Sequence, residues 1–267
     1  MTDVARRARR PRLVALDIDG TLVDRNGLLP GAVADAVALV VQAGVPVVLS
    51  TGRSWHGTKQ IFDQLGLPPG PTVCSNGAVV VRYPPQEIIK AITFDPRPVI
   101  TQVEKVAPGT LIAVEEIGRG YRLNDHFPGD DLTGELIIEN AEQLSSRPVT
   151  RVILRDPTRS EEEFVALARH LGMHGVTYYI GWGSWLDIAP DGVNKATALA
   201  EVAAGFGVPA ADVLAMGDGR NDIEMLRWAG RGVAMGDAPD EVKAAADDVT
   251  KNFDDGGPTG ELRHWFG

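Results

Sequence analysis

Two carboxylates, Asp17 and Asp19, stand one residue apart where the apolar run Leu13–Leu16 ends. Side chains at positions i and i+2 of an extended chain share a face, so both carboxylates can enter one crevice. Two carboxylates this close repel each other unless a cation or a shared proton lies between them. Such oxygen ligands are typical of Mg²⁺ sites, and an Asp-Gly turn at Asp19 and Gly20 is the less favoured alternative for this motif alone.

Three further polar segments follow apolar runs or open helices. Ser50–Arg53 places two hydroxyls and a glycine before a helix, where phosphoryl oxygens can bind. Lys195 lies in the first turn of a helix, and Gly217–Asp222 places an acidic cluster after another apolar run. Each alone has an ordinary interpretation: an N-cap, a solvated lysine, an Asp-Gly turn. Together they form the set needed for phosphoryl transfer through a covalent aspartate.

The elements that must position these residues follow an alternating pattern. Apolar runs predict strands, and apolar residues at helical spacing predict the helices between them. Such alternation predicts a parallel sheet with helices on both faces, whose ligands bind outside the carboxyl ends of the strands. The predicted strands are Leu13–Leu16, Pro46–Leu49, Thr72–Cys74, Val213–Met216 and Gly232–Met235.

The middle of the chain follows a different pattern, with frequent prolines and shorter, less regular helical stretches. This change of pattern predicts that residues 83–187 form a small inserted α+β domain, here called the cap. The predicted fold class is α/β, with a Rossmann-like parallel-sheet core built from both chain ends, residues 13–82 and 188–267. Residues 1–12 are predicted to be a flexible basic tail.

Composition excludes several functions. The net charge of the 267 residues is −10, which makes binding to a nucleic-acid backbone unfavourable. The basic residues near the start predict a solvated tail, and no apolar run reaches the roughly 20 residues of a membrane helix. One cysteine, Cys74, excludes an internal disulfide. A cytoplasmic protein without a membrane or nucleic-acid partner is expected, and its oligomeric state stays open. The basic residues are Arg6, Arg7, Arg9, Arg10 and Arg12.

The motifs resemble those of the haloacid dehalogenase (HAD) superfamily. Asp17–Thr21 is similar to its motif I, Thr51 to motif II, Lys195 to motif III and Gly217–Asp222 to motif IV. Further segments resemble the Cof-type subfamily, IIB, which carries a large α/β cap between the second and third motifs. The predicted insertion fits that pattern. These further segments are Ser75–Ala78, Leu186–Pro190 and Gly192–Lys195.

The resemblance implies a role for each motif. Asp17 would be the nucleophile that forms an aspartyl-phosphate, and Asp19 the general acid and base. Mg²⁺ would be held by the Asp17 carboxylate, the Asp19 backbone carbonyl and Asp218. Thr51 and Lys195 would hold the transferring oxygens, and Asp222 would orient Lys195. The other residues implied to bind phosphate or substrate are Gly52, Arg53, Asn76 and Asn221.

The implied activity is Mg²⁺-dependent hydrolysis of a small phosphomonoester, with sugar phosphates the favoured class. A phosphomutase similar to phosphomannomutase is the alternative enzyme, and its cap would need clustered basic groups, whereas the cap arginines are scattered along the chain. A non-catalytic phosphoester-binding module is the third hypothesis. In the cap, Trp182 and Trp185 either offer an aromatic platform to a sugar or pack as core.

Overall fold

The structure, a computed structural model, describes residues 10–129, 132–160, 163, 176–181 and 185–267. Trp182 and residues 1–9 of the predicted tail lie outside these residues. The described strands, in chain order, are β1 Leu13–Leu16, β2 Val47–Leu49, β3 Gly70–Cys74, β4 Val79–Tyr83, β5 Glu87–Ala91, β6 Leu111–Glu116, β7 Gly120–Leu123, β8 Glu135–Ile138, β9 Val152–Arg155, β10 Val176–Gly181, β11 Trp185–Pro190, β12 Val213–Gly217, β13 Arg231–Ala234 and β14 Asp248–Val249.

The helices connect these strands and cover their faces. No helix in the described ranges is long and apolar enough to cross a membrane. Short 3₁₀ turns at Ser75–Gly77 and Arg220–Asp222 follow β3 and β12. The helices are α1 Gly31–Gln42, α2 Trp55–Gln64, α3 Arg97–Val106, α4 Ala141–Leu144, α5 Lys195–Gly205, α6 Ile223–Trp228, α7 Asp240–Lys243 and α8 Gly257–Phe266.

A five-stranded parallel sheet forms the main core, in the order β14-β13-β12-β1-β2. Strand β1 lies between β12 and β2, with Leu13 opposite Val213 and Leu16 opposite Met216. All four β1 residues are fully buried, because helices cover both faces of the sheet. The sheet joins strands from both chain ends, so the predicted fold class is confirmed.

The third predicted strand pairs differently from the prediction. Thr72–Cys74 belongs to β3, which pairs antiparallel with β4 in a separate sheet of order β3-β4-β5. An isolated parallel bridge between Ser50 and Val73 connects it to the chain beyond β2. A short apolar run fits a buried strand in either kind of sheet, and therefore the sequence pattern alone could not decide its partner.

A six-stranded sheet of order β10-β11-β9-β6-β7-β8 follows in the middle of the chain. Helix α3 packs on one face through Val99, Ile100 and Val103. Strand β5 pairs outside this sheet, whereas β11 continues in it to Pro190. The division into core and cap stays a prediction, and strand pairing favours cap limits near residues 92 and 190 over 83 and 187.

The prediction of a free basic tail is wrong for its last three residues. The backbone N–H of Arg12 donates to the carbonyl of Asp212 at 2.8 Å, and its guanidinium bonds the Asp212 carboxylate at 3.2 Å. The Arg10 guanidinium lies 4.8 Å from the centre of the Phe266 ring. These contacts with the chain before β12 and with α8 fix residues 10–12 on the core.

Candidate active site

The ends of three neighbouring strands bring the first motifs together. The Asp17 N–H donates to the Met216 carbonyl at 3.0 Å, which continues the pairing of β1 with β12. The Ser50 N–H donates to the Leu16 carbonyl at 2.8 Å on the other side of β1. Because these strands are parallel, the residues that follow them emerge at one edge of the sheet.

Lys195 connects the first and fourth motifs. Its Nζ atom lies 2.6 Å from Asp17 Oδ1 and 2.6 Å from Asp222 Oδ1, and its side chain is fully buried. Lys195 is the first residue of α5, and Asn194 and Thr197 cap the start of this helix with the two reciprocal hydrogen bonds of a capping box. Burial alone would lower the pKa of Lys195, but the two carboxylates raise it above its ordinary value. The ammonium therefore stays charged in the core.

Asp222 also fixes the acidic loop before it. Its Oδ2 accepts hydrogen bonds from the backbone N–H groups of Asp218 at 3.0 Å and Gly219 at 2.9 Å. A side chain at Gly217 would place its Cβ 2.4 Å from the Asp222 Cγ, so this approach requires glycine. With Oδ1 on Lys195 and Oδ2 on the loop, both oxygens of Asp222 are occupied.

Asp17, Asp218 and Asp222 form an acidic cluster in which one oxygen of each lies within 4.8 Å of the others. Lys195 contacts Asp17 and Asp222 but makes no hydrogen bond with Asp218, so the three carboxylates carry more negative charge than this one ammonium balances. Burial, together with the charge of Asp222, raises the pKa of Asp17 well above its ordinary range, and the same causes raise that of Asp218 to about 7. A divalent cation would relieve this repulsion.

The donor set fits a hard cation. Asp17 and Asp218 offer carboxylate oxygens, whereas both oxygens of Asp222 already accept hydrogen bonds. Over the described residues, no hydrogen bond is made to the Asp19 backbone carbonyl, which leaves it free as a third oxygen. At Gly20, where φ is +75°, a Cβ would lie 2.3 Å from Asp218 Oδ2, so glycine leaves room for that carboxylate.

Asp19 makes a contact that the sequence did not predict. Its carboxylate forms a bidentate ion pair with Arg53, at 2.9 Å from Nε and 2.6 Å from Nη2. The Asp19 side chain is 59% exposed, so this pair lies at the open side of the site. The motif I acid and the motif II arginine are thus direct neighbours.

The Thr51 loop is held by backbone and side-chain hydrogen bonds. Thr51 is fully buried, and its Oγ1 accepts a hydrogen bond from the Arg53 N–H at 3.0 Å. Its own N–H donates to the Val73 carbonyl at 2.9 Å, and its carbonyl accepts from the Asn76 N–H at 3.0 Å. The loop after β2 is therefore fixed against the segment that follows β3.

Asn76 joins the second motif to the fourth. Its Oδ1 accepts from Asn221 Nδ2 at 2.9 Å, and its Nδ2 donates to Asp187 Oδ2 at 2.7 Å. A Cβ on Gly52 would lie 3.2 Å from Asn76 Oδ1 and 3.3 Å from Asn221 Nδ2, so both amides pack on the Gly52 backbone. Asn76 adopts a left-handed backbone, at φ 53°, which asparagine tolerates better than most residues.

The predicted cap tryptophans have separate outcomes. Trp182 lies outside the described residues. Trp185 is half-buried, its ring centre 6.0 Å from that of Phe127, with the Arg155 guanidinium 5.8 Å from its own ring centre. Trp185 lies two residues before Asp187 on β11, so the two side chains lie on the same face of the sheet. On that face Asp187 contacts Asn76.

A comparison of the sequence with protein-family models decides the family. The model for haloacid dehalogenase-like hydrolases matches residues 14–258, most of the chain. The chain belongs to the haloacid dehalogenase-like hydrolases. The resemblance in its motifs is thereby confirmed.

Several similar curated proteins are named phosphatases, which confirms the predicted enzyme class. Pyridoxal phosphate phosphatase YbhA of Escherichia coli (strain K12) is 31% identical over 259 residues, covering 89% of this chain and 92% of the relative. The 5-amino-6-(5-phospho-D-ribitylamino)uracil phosphatase YitU of Bacillus subtilis (strain 168) is 28% identical, covering 96% and 98%. The structure of BT4131, a HAD subclass IIB sugar phosphatase, has the same fold at 23% identity, with a TM-score of 0.81 over 95% of this chain and 98% of that one.

Two buried contacts of this HAD hydrolase escaped sequence reasoning. Arg151 and Asp187 form an ion pair at 2.7 Å in the six-stranded sheet, and Ser75 donates to Glu115 at 2.7 Å. Asp187 carried one usable signal, since a lone charge inside the apolar stretch Leu186–Ala189 requires a buried partner. The identity of that partner was not readable from the sequence.

Proposed function

We propose that this HAD hydrolase is a Mg²⁺-dependent phosphatase that hydrolyses a small phosphomonoester, with a sugar phosphate as the favoured class, in the cytoplasm. The observation that carries the proposal is the buried contact of Lys195 with both Asp17 and Asp222, beside Asp218. It combines a nucleophile, a fixed cation and an acidic pocket at the end of β1. A screen of phosphate release over sugar, polyol, nucleotide, pyridoxal and phosphoacid esters tests the substrate class.

In this mechanism Asp17 attacks phosphorus, and the bond to the ester oxygen breaks. Asp19 gives its proton to the departing oxygen, then takes one from the water that hydrolyses the aspartyl-phosphate. Lys195 orients the Asp17 carboxylate and balances charge on the transferring oxygens, which Thr51 also contacts. Asp17, Asp218 and the Asp19 carbonyl would hold Mg²⁺, which supplies electrostatic stabilisation of the phosphoryl group when bound.

The ion pair between Asp19 and Arg53 has a consequence for this cycle. A general acid must carry a proton, and a carboxylate that accepts hydrogen bonds from Nε and Nη2 of a guanidinium carries none. We propose that Arg53 leaves Asp19 for the entering phosphate. Asp19, whose side chain is 59% exposed, then takes up a proton from solvent, and the ester oxygen takes the place of Arg53 beside it.

The arginines of the middle segment argue against the phosphomutase. A mutase would need a basic cluster in its cap to hold a second phosphate. The cap arginines with assigned partners are instead paired with nearby carboxylates, which lowers their availability for an anion. These pairs are Arg97–Asp95, Arg119–Glu135, Arg122–Glu116, Arg122–Glu139, Arg147–Glu116, Arg151–Asp187 and Arg159–Asp156.

A purely binding module is also disfavoured. Burial raises the pKa of Asp17, and two other carboxylates lie close to it. This arrangement lowers the stability of the folded protein and does not help it to recognise an anionic phosphate. Hydrolysis of p-nitrophenyl phosphate by the purified protein separates the two hypotheses, because a binding module releases no phosphate. Absence of any turnover across the ester screen would favour the module.

Removal of the metal is expected to abolish activity. Excess EDTA should stop hydrolysis of p-nitrophenyl phosphate, and Mg²⁺ added beyond the chelator should restore it. Ca²⁺ should inhibit, because its larger radius and higher coordination number allow it to bind both oxygens of Asp17. Steady-state rates with each metal measure this. Full activity in excess EDTA would contradict the proposed metal site of Asp17 and Asp218.

The exchange Asp19→Asn is expected to slow hydrolysis by an amount that depends on the leaving group of the substrate. A sugar phosphate, whose alcohol needs a proton, should lose about 10²- to 10⁴-fold in the first step, the usual contribution of a general acid. The first step with p-nitrophenyl phosphate should be nearly spared. Rapid-quench single-turnover rates on both esters provide the measurement. Equal losses on the two esters would remove Asp19 from the acid role.

The exchange Trp185→Ala is expected to affect recognition more than chemistry. Its kcat/KM for the physiological ester should fall several-fold, whereas that for p-nitrophenyl phosphate should change little. Trp265→Ala on α8 is the matched control, because that ring is also half-buried and has an arginine, Arg231, 5.7 Å from its centre. If both esters lose equally in Trp185→Ala, the tryptophan has a structural role only.

A further inference from the structure

A row of polar side chains runs from the six-stranded sheet into the active site. Arg151 Nε donates to Asp187 Oδ1 at 2.7 Å, and Asp187 Oδ2 accepts from Asn76 Nδ2 at 2.7 Å. Asn76 Oδ1 then accepts from Asn221 Nδ2 at 2.9 Å. The first three residues are buried, with at most 6% of each exposed to solvent. In buried positions these donors and acceptors have no water to replace a lost partner.

The chemistry of the first two residues fixes the direction of the row. Arginine only donates, and an ionised carboxylate only accepts. Burial raises the pKa of Asp187 above its ordinary value, and Arg151 and the hydrogen bond from Asn76 limit that rise. The 2.7 Å contact with the buried Arg151 guanidinium favours the anionic form of Asp187. The amino end of Asn76 must therefore face Asp187. The carbonyl end of Asn76 then faces Asn221 and accepts a hydrogen bond from the amino end of the Asn221 side chain.

The direction matters because the two ends of the Asn221 amide border different loops. A Cβ on Gly52 would lie 3.3 Å from Asn221 Nδ2, whereas one on Gly219 would lie 2.5 Å from Asn221 Oδ1. The amino end thus borders the Thr51 loop, and only one of its two hydrogens is used on Asn76. A reversed amide would present a carbonyl oxygen to the phosphoryl oxygens and repel them.

We propose that Asp187 is a positioning residue that sets the direction of the Asn76 and Asn221 amides, so that a hydrogen-bond donor faces the bound phosphate. This inference rests on the proposed function and adds a residue of the six-stranded sheet to the proposed phosphate site. Asp187 acts through Asn76 and touches neither the phosphate nor the nucleophile. The position of the Asn76 backbone does not depend on this contact, because its N–H bonds the Thr51 carbonyl at 3.0 Å.

The test measures binding of inorganic phosphate by calorimetry, in the presence of Mg²⁺, together with kcat/KM for p-nitrophenyl phosphate. In Asp187→Asn, the carbonyl end of the new amide must accept the hydrogen bond from Arg151, so its amino end faces Asn76 and the direction of the row is reversed. The Kd for phosphate should rise about tenfold, the loss expected for one hydrogen bond to a charged group, and kcat/KM should fall by a similar factor.

Two further variants separate direction from stability. Arg151→Lys keeps a cation beside Asp187 but loses the guanidinium contacts, so the melting temperature should fall while the Kd for phosphate stays within about twofold. The exchange Asn76→Asp combined with Asp187→Asn moves the carboxylate one place along the row. It forces the amino end of Asn221 to face the same way as in the wild type, so phosphate should bind more tightly to the double exchange than to Asp187→Asn alone.

Each outcome has one interpretation. Phosphate affinity at the wild-type level in Asp187→Asn, or equal weakness in that variant and the double exchange, would overturn the positioning role. Loss of phosphate binding in Arg151→Lys in proportion to its loss of stability would do the same. A wild-type protein that neither binds phosphate nor hydrolyses any ester would refute the proposed function itself. Wild-type turnover with an unaffected Asp187→Asn would refute the positioning role alone.

Discussion

Asp17→Asn is expected to abolish hydrolysis of all phosphomonoesters, with kcat falling by about 10⁴-fold or more, the scale seen when a nucleophile is removed. An amide of the same shape cannot form the aspartyl-phosphate. The buried side chain lies against Lys195, and the described structure puts no carboxylate except Asp218 and Asp222 within that cluster. Both oxygens of Asp222 are already engaged. The variant should therefore have no substitute nucleophile.

The same exchange should leave the protein at least as stable as wild type. Burial raises the pKa of Asp17 in the folded state, so its ionised form costs folding free energy at neutral pH, and a neutral amide removes that cost. Thermal unfolding at pH 7 measures it. Asp156→Asn is the control, since Asp156 is equally buried but bonds only residues near it, Thr158 and Arg159.

Phosphate release and mass spectrometry complete this prediction. Wild-type protein quenched in acid during turnover should carry a phosphoryl group on the peptide that contains Asp17, and Asp17→Asn should not. Asp156→Asn should retain both turnover and labelling. Turnover near the wild-type rate in a folded Asp17→Asn protein would exclude the covalent mechanism.

The positions of the catalytic motifs could be predicted because each stands at the end of a strand or the start of a helix. Strands β1 and β12 were readable as apolar runs, and parallel strands present their carboxyl ends at one edge. That rule alone places Asp17 near Gly217–Asp222. The close approach of Lys195 followed from the family resemblance rather than from spacing, since Lys195 is 178 residues from Asp17.

The contacts between the six-stranded sheet and the site could not be predicted. Asn76 and Asp187 are 111 residues apart, and their contact depends on how two separately paired sheets meet. Hydrophobic periodicity cannot predict how the two sheets contact each other, because it indicates which face of an element is buried and not which element covers that face. The Asp19–Arg53 ion pair is similar, since it depends on side-chain rotamers at the exposed rim.

Lys195→Met is expected to have the second large effect, on both activity and stability. Methionine has a similar length but no charge, so Asp17 and Asp222 would be left buried without their shared cation. Removing one partner of a buried ion pair typically costs about 3–5 kcal/mol, and we expect a loss of unfolding free energy of that order at pH 8. Activity should fall by about 10³-fold or more, because nothing orients the nucleophile.

The stability loss in Lys195→Met should depend on pH in a defined direction. The pKa of Asp17 is already raised in the folded protein, and without Lys195 it should rise further. The folded state then binds more protons than the unfolded state above about pH 4, so stability must fall as the pH rises through the folded pKa of Asp17. The deficit against wild type should therefore be smaller at pH 5 than at pH 8.

Urea unfolding of both proteins at pH 5 and pH 8 measures this difference. Lys59→Met is the control, because Lys59 pairs with Asp63 on the exposed face of α2 and should show little change at either pH. A deficit in Lys195→Met that is equal at the two pH values would mean that the carboxylates find other partners. A deficit that grows at pH 5 would contradict the expected further rise of the Asp17 pKa in Lys195→Met, because protonation of that carboxylate at low pH should offset the loss of its cation.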